Sequence, residues 1–345
     1  MLKILRIFNP TLYQGAKKRK RYFEGWYFKQ TSRASHNTGK IAQAVSFIPG
    51  ISRASAGSAI GDRAFVQMID GATGRTRFFP FPVEEFSAQD KPFEVRIGRN
   101  RFSLSGLSVN LEDEEGAVTA ELRYGTTTAL SRLSPWPGIM GPYSFVPFME
   151  CYHGLTSLDH RVDGFITTRG KGSEAADQTL QFVDGRGYIE KDWGRSMPSS
   201  WVWIQSNAFD VSLGPVSFFF SLARIPWLGS WFNGFLAVLY LDGQEHRFAS
   251  YTGASVELLS FDGSTVSILV VDKNKKLEVT VRRNHEGSLA APVNGAMDRR
   301  ISESADSWVR VVLKQRHGRV DLPIFDAASS ASGVEVVGDL SSLQS

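Results

Sequence analysis

The chain carries one cysteine in 345 residues, Cys151. That excludes an internal disulfide framework and fits a reducing compartment. No uncharged apolar run reaches membrane-spanning length. The nearest, Val216 to Leu241, is interrupted by Arg224, Pro226, Gly229, Asn233 and Gly234. The opening MLKILRIFNP holds an apolar stretch too short for a signal-peptide core, with no small-residue cleavage site behind it. A cytoplasmic location is expected, with peripheral membrane contact left open. Formal net charge is only +4, too mild for a nucleic-acid binder. There is no GxSxG, P-loop, HExxH, CxxC or Rossmann glycine pattern, so hydrolase, kinase, metalloprotease and nicotinamide-enzyme readings have no support. No segment keeps a 3.6-residue apolar period for twelve residues, which argues against long helices.

What is present is aromatic and strand-like. The chain has 24 Phe, 8 Trp and 9 Tyr, and 42% of it is hydrophobic, enough for a substantial core. Short runs rich in Val, Ile, Phe, Tyr, Trp and Thr alternate with Gly, Asn, Asp and Ser clusters. Asp242-Gly243 and Asp262-Gly263 are hairpin-turn dipeptides between such runs. Leu130 to Pro147, with four prolines and two glycines, reads as a crossover between two β halves, and Glu286 to Glu303 as an irregular insertion. The Ser/Ala/Gly-rich stretch from Ala327 reads as a frayed tail. Many short antiparallel strands must close into barrels or stack as sandwiches to hide their edges. The expectation is all-β, with two antiparallel β-barrel or sandwich domains packed together: residues 1–155, residues 156–326, and a flexible tail at 327–345.

Three segments concentrate carboxyls among rings: YFEGWYFK at 22–29, GPYSFVPFMECYHGL at 141–155 and GYIEKDWGRSMPSSWVWIQSN at 187–207. In a strand, residues two apart share a face. Tyr188, Glu190 and Asp192 therefore line one side, and two buried acids there cannot easily both ionise. The competing reading caps a turn with Asp192 and pairs Glu190 with Arg186 or Arg195. Trp201, Trp203 and Gln205 share a face with Asn207, which could orient a guest hydroxyl or simply satisfy backbone. Trp-x-Trp equally suits core filling. Glu24, Trp26 and Phe28 form one face of the first strand, with Phe23 and Tyr27 opposite, and a Glu24 inside a barrel needs a Lys or Arg partner. Glu150 and Tyr152 alternate with Cys151 and His153. His153 beside Glu150 could shuttle a proton or serve as a structural donor, and Cys151 reads as an inert small hydrophobe. Lys17 to Arg21 is a basic run, a solvated arm or a lipid-facing patch. Ile225 to Phe232 is an apolar loop, a lid over a barrel end or a tip entering lipid.

In order and content, these three segments resemble the tocopherol cyclase family. The third is the most specific, since Glu190, Asp192-Trp193-Gly194 and Trp201-x-Trp203-x-x-x-Asn207 fall within twenty-one residues. The resemblance implies a lipocalin-like pair of β-barrels, distantly akin to carotenoid hydratases. It also implies a cyclase in which an alkene of a prenylated quinol is protonated and the phenol oxygen closes a chromanol ring. No metal or organic cofactor is needed for that reaction, and the expected partner is a hydrophobic prenyl lipid. The catalytic candidates are Asp192, Glu190, Glu150 and His153. Glu24, Trp26, Tyr27, Tyr152, Trp193, Trp201, Trp203 and Asn207 are the candidates for holding the guest. The rival reading is a lipocalin-like carrier that binds such a lipid without chemistry, in which Glu24, Glu150, Glu190 and Asp192 would face solvent or be locked to Arg and Lys.

Overall fold

Period-two alternation organises this chain, and in its central strands both faces of the alternation are buried. The computed structural model describes residues 6–34, 41–132, 135–171, 177–209, 211, 214–318 and 320–344. The apolar opening at residues 1–5 lies outside them. Among the described residues the first half supplies β1 (Tyr22–Thr31), β2 (Ala44–Arg53), β3 (Arg63–Asp70), β4 (Thr76–Phe81), β5 (Phe86–Asp90) and β6 (Phe93–Ile97). It continues with β7 (Asn100–Ser103), β8 (Gly106–Asp113), β9 (Gly116–Tyr124), β10 (Cys151–Gly170) and β11 (Gln178–Gly194). These form one antiparallel sheet in the order β4-β3-β2-β1-β11-β10-β9-β8-β7-β6-β5.

The second half gives β12 (Trp201–Ser206), β13 (Val216–Trp227), β14 (Ser230–Leu241), β15 (Gln244–Ala249) and β16 (Ser255–Phe261). It ends with β17 (Thr265–Val271), β18 (Lys275–Arg282), β19 (Glu286–Val293), β20 (Ala296–His317) and β21 (Val320–Val337). Their order is β15-β14-β13-β12-β21-β20-β18-β17-β16, with β19 paired to β20. The architecture is all-β, two curled antiparallel sheets packed together, as the sequence implies. Asp242-Gly243 forms its hairpin turn between β14 and β15 with both residues at positive φ, 43° and 85°.

Three apolar clusters follow from the alternation. Trp26, Phe28, Phe47, Val95 and Phe102 fill the hollow of the first sheet. Val202, Ile204, Phe218, Phe220 and Leu277 fill that of the second. Between the sheets lies a seam containing Tyr27, Tyr188, Trp201, Trp203 and Phe219. One strand thus serves two interiors: Val202 and Ile204 point one way, Trp201 and Trp203 the other. Burial of each large side chain contributes roughly 1.5–3 kcal/mol, so both interiors hold the strand in register.

The sheets divide later than expected. The Pro/Gly-rich segment before residue 147 joins β9 to β10, which pair with each other inside the first sheet. The passage between sheets is instead the short stretch 195–200, so residues 156–194 belong with the first half. The expected irregular insertion is the hairpin of β19 and β20. The expected tail is largely β21, which lies between β12 and β20, with Ala331 and Val334 fully buried. Its small residues fit a crowded seam: a Cβ on Gly333 would lie 2.7 Å from the Trp203 ring.

Candidate active site

β1, β10 and β11 run side by side and set the acidic wall of the seam. Register places Glu190 beside Tyr27, and Asp192 between Gly25 and His153. Alternation then turns Tyr27, Glu190, Asp192 and His153 toward the second sheet, where β12 presents Trp201 and Trp203. A cavity of about 170 Å³ lies between, lined by these groups together with Met140, Phe232, Met297 and others. Gly25 leaves the space beside Asp192 open, since a Cβ there would approach nothing closer than 3.7 Å.

Glu190 is the best-placed acid. It is buried, and its Oε2 accepts from the Tyr188 hydroxyl at 2.5 Å and the Trp203 indole N–H at 3.1 Å. Removal from water pushes its pKa up to about 7, against the pull of His153 and with reinforcement from Asp192. His153 joins the two carboxyls. Its Nδ1 lies 2.9 Å from Asp192 Oδ1 and its Nε2 3.6 Å from Glu190 Oε2, while its ring stacks on Phe219. Burial opposes the imidazolium, but Asp192 and Glu190 together outweigh it and raise its pKa. Asp192 thereby orients the imidazole and His153 can pass a proton to Glu190.

Two acids that sequence reasoning missed complete the wall. Glu303 on β20 is fully buried and accepts from the Tyr27 hydroxyl at 2.5 Å. Burial lifts its pKa to about 7. Glu335 on β21 accepts from the Trp201 indole at 2.5 Å, and burial followed by the charge of Glu303 raises it well above the usual carboxylate range. Behind Tyr27, Lys29 is fully buried and donates to Gln205 Oε1 at 2.8 Å and the Ala331 carbonyl at 2.7 Å. Burial pulls its pKa down to about 7, with Glu303 opposing. Glu303 and Glu335 sit in the two stretches read as insertion and tail. Their only signal was a lone acid among small residues.

The remaining candidates are elsewhere. Glu24, Trp26 and Trp193 fall on the opposite face of β1 and β11. There Lys191 Nζ meets Glu24 at 2.7 Å and lies over the Trp193 and Trp26 rings at 4.4 and 5.3 Å. This buried ion pair is the Lys partner that Glu24 required, and the expected role of these three toward the guest does not fit their position. Glu150 pairs outward with Arg195 at 2.7 Å, away from His153. Tyr152 stacks on Trp193 and donates to the Val146 carbonyl. Asn207 donates to the Gly187 carbonyl at 2.9 Å, the backbone role. Cys151 lines the cavity, but burial and then Asp192 push its thiol up, so it stays protonated.

The ligand atoms of His153, Glu190 and Asp192 lie within 4.8 Å of one another, close enough to share a cation. Glu190 Oε2 already accepts hydrogen bonds from Tyr188 and Trp203, outside the trio, which favours a proton relay over a ligand set.

The fold and site together define a lipocalin-like protein whose interior chamber is walled by rings and acids. Residues 161–338 match the tocopherol cyclase-like family model, and the chain belongs to that family. It is similar to the chloroplastic tocopherol cyclase of Zea mays, 24% identical over 201 residues, which are 56% of this chain and 40% of the maize protein. The match thus spans well under two thirds of that relative's length. Its fold is similar to the crystal structure of CghA, with TM-score 0.57 and 13% identity, covering 92% of this chain and 88% of that one. CghA with Sch210972 gives TM-score 0.54 at 13% identity, covering 92% and 89%.

Proposed function

We propose that this protein is a cofactor-independent cyclase that closes a chromanol-type ring in a prenylated quinol or related hydrophobic isoprenoid. The observation that carries the reading is Glu190: a buried carboxyl facing a ring-lined cavity and holding its proton near neutral pH. Protonating an alkene needs an acid charged with a proton at working pH, and such general acid catalysis contributes roughly 10²–10⁴-fold. Glu190 gives its proton to the alkene carbon. The tertiary cation that results is faced by the rings of Tyr27, Trp201 and Trp203, each contributing about 0.5–2 kcal/mol when desolvated. Holding the hydroxyl oxygen over that carbon contributes further through effective molarity. His153, oriented by Asp192, returns a proton to Glu190. The carrier reading requires acids locked to Arg or Lys or facing solvent. Glu24 and Glu150 meet that description, whereas Glu190 and Asp192 do not.

The guest would enter from a lipid surface. The tip of the β13–β14 hairpin exposes Leu228 (76%), Trp227 and Trp231, and Trp227 donates to the Pro147 carbonyl beside exposed Phe148 (86%). Ile225 and Phe232, in the same hairpin, line the cavity, so this apolar rim leads directly inside. Among the described residues no helix is long and apolar enough to cross a membrane. The basic run at Lys17–Arg21 is exposed on the arm before β1.

Purified protein incubated with prenylated benzoquinols is expected to yield chromanol by chromatography and mass spectrometry, and Glu190→Gln to lose at least about 10²-fold in turnover while keeping the wild-type fold. Recovery of the quinol unchanged but tightly bound would establish the carrier instead.

A further inference from the structure

The seam holds a second pair of acids that the protonation step does not use. Glu303 and Glu335 stand directly opposite each other across β20 and β21, both line the cavity, and their carboxyls are within hydrogen-bond reach. Tyr27 donates to one and Trp201 to the other. The second oxygen of Glu303 is buried and receives no N–H or O–H donor among the described residues. Two adjacent carboxylates out of water repel, and an unpartnered buried oxygen is costly. One proton between the carboxyls relieves both penalties.

We propose that Glu303 and Glu335 form a dyad that holds one shared proton and takes up the hydroxyl proton released when the ring closes. The step rests on the cyclase reading; the shared proton does not. In the reaction the alkene π pair forms a C–H bond with the Glu190 proton. A lone pair of the hydroxyl oxygen then forms the C–O bond at the cationic carbon. The O–H electrons stay on oxygen as that proton passes to Glu303. Glu190 leaves as carboxylate, Glu303 as acid, and the guest is isomerised without gain or loss of atoms. The cycle closes when the dyad gives up that proton and Glu190 regains one from His153. A first protonation held high on Glu335 and a second near neutrality on Glu303 suit a base working at neutral pH. The groups facing the dyad are Tyr27 and Lys29 from β1, Glu190 and Asp192 from β11, and Trp201 from β12.

Infrared spectroscopy of the guest-free protein tests the shared proton. In Glu190→Gln protein a protonated-carboxyl C=O stretch is expected to persist at pH 8, and adding Glu335→Gln is expected to abolish it. A missing band in the first, or a surviving band in the second, overturns the dyad. Trp201→Phe keeps both carboxyls but removes an N–H that stabilises the anion, so the band should survive to higher pH; an unmoved titration counts against the dyad. In turnover, Glu335→Gln should lower kcat about 10²-fold with KM little changed and should reshape the acid limb of the pH profile. Full kcat with a wild-type profile overturns the catalytic role. If the wild-type protein cyclises nothing, the cyclase reading fails while the infrared result still decides the shared proton.

Discussion

At the scale of single residues, the buried acids make stability depend on pH in a direction opposite to ordinary salt-bridged carboxylates. Glu190 and Glu303 are held near 7, above their unfolded values near 4.5. Between those limits the folded chain binds more protons than the unfolded one, so stability falls as pH rises from about 4.5 to about 7, then levels. His153, raised in the fold, acts in the same sense, its contribution being lost as pH climbs through its folded pKa. Lys29, lowered to about 7, works in reverse and higher up: its penalty is relieved between about 7 and 10.5. Urea titration is expected to give a lower midpoint at pH 7.5 than at pH 5, with a narrower difference in Glu190→Gln. An equal or larger difference in the variant would remove Glu190 from this account.

Which residues were legible follows from their neighbours. Glu190, Asp192, His153, Tyr27, Trp201 and Trp203 lie in strands dense in rings; alternation pairs Glu190 with Asp192 and Trp201 with Trp203, and the cavity brings these pairs together with Tyr27 and His153. Alternation could not say which face meets which interior, because β1 and β11 are buried on both sides. Trp26, Trp193 and Glu24 gather around Lys191 on the face turned away from the cavity. Glu303 and Glu335 were hidden for the opposite reason. Their strands need Ser304, Ser307, Ala331, Ser332 and Gly333 to fit the seam, and that composition imitates a loop.

Among the elements, the β13–β14 hairpin joins the wall of the cavity to the outside. Leu228 and Gly229 take positive φ, 49° and 82°, giving a tight turn that holds Trp227 and Trp231 at the tip. The reading of this segment as either lid or lipid-facing tip divides within one hairpin, Ile225 and Phe232 facing in and Leu228 facing out. Replacing Leu228 with Asp is expected to reduce co-sedimentation with phosphatidylcholine vesicles severalfold. Cyclisation of a short-chain quinol presented without lipid should be unaffected. Undiminished vesicle binding would separate the hairpin from membrane contact.

For the whole molecule, the two sheets are complementary halves of one chamber: the first supplies Glu190, Asp192 and His153, the second Glu303, Glu335 and both tryptophans. Fold class and the likeness to the tocopherol cyclase-like family were readable from strand patterning and three ring-rich segments. The position of the divide was not, because proline-rich Leu130–Pro147 imitates an interdomain crossover while the real passage spans only 195–200. Deleting residues 327–345 removes most of a central strand and the buried Leu343. The truncated protein is expected to be insoluble or to lose cooperative thermal unfolding, and a folded product of normal Tm would contradict the arrangement.

The central place of β21 bears on how the molecule is born. A ribosome delivers residues 22–194 early, so the first sheet can assemble while synthesis continues. The other half must wait, gap open between β12 and β20, until β21 has been made. Because Glu335 arrives on β21, after every other strand that lines the cavity, the acidic chamber is finished only with that strand.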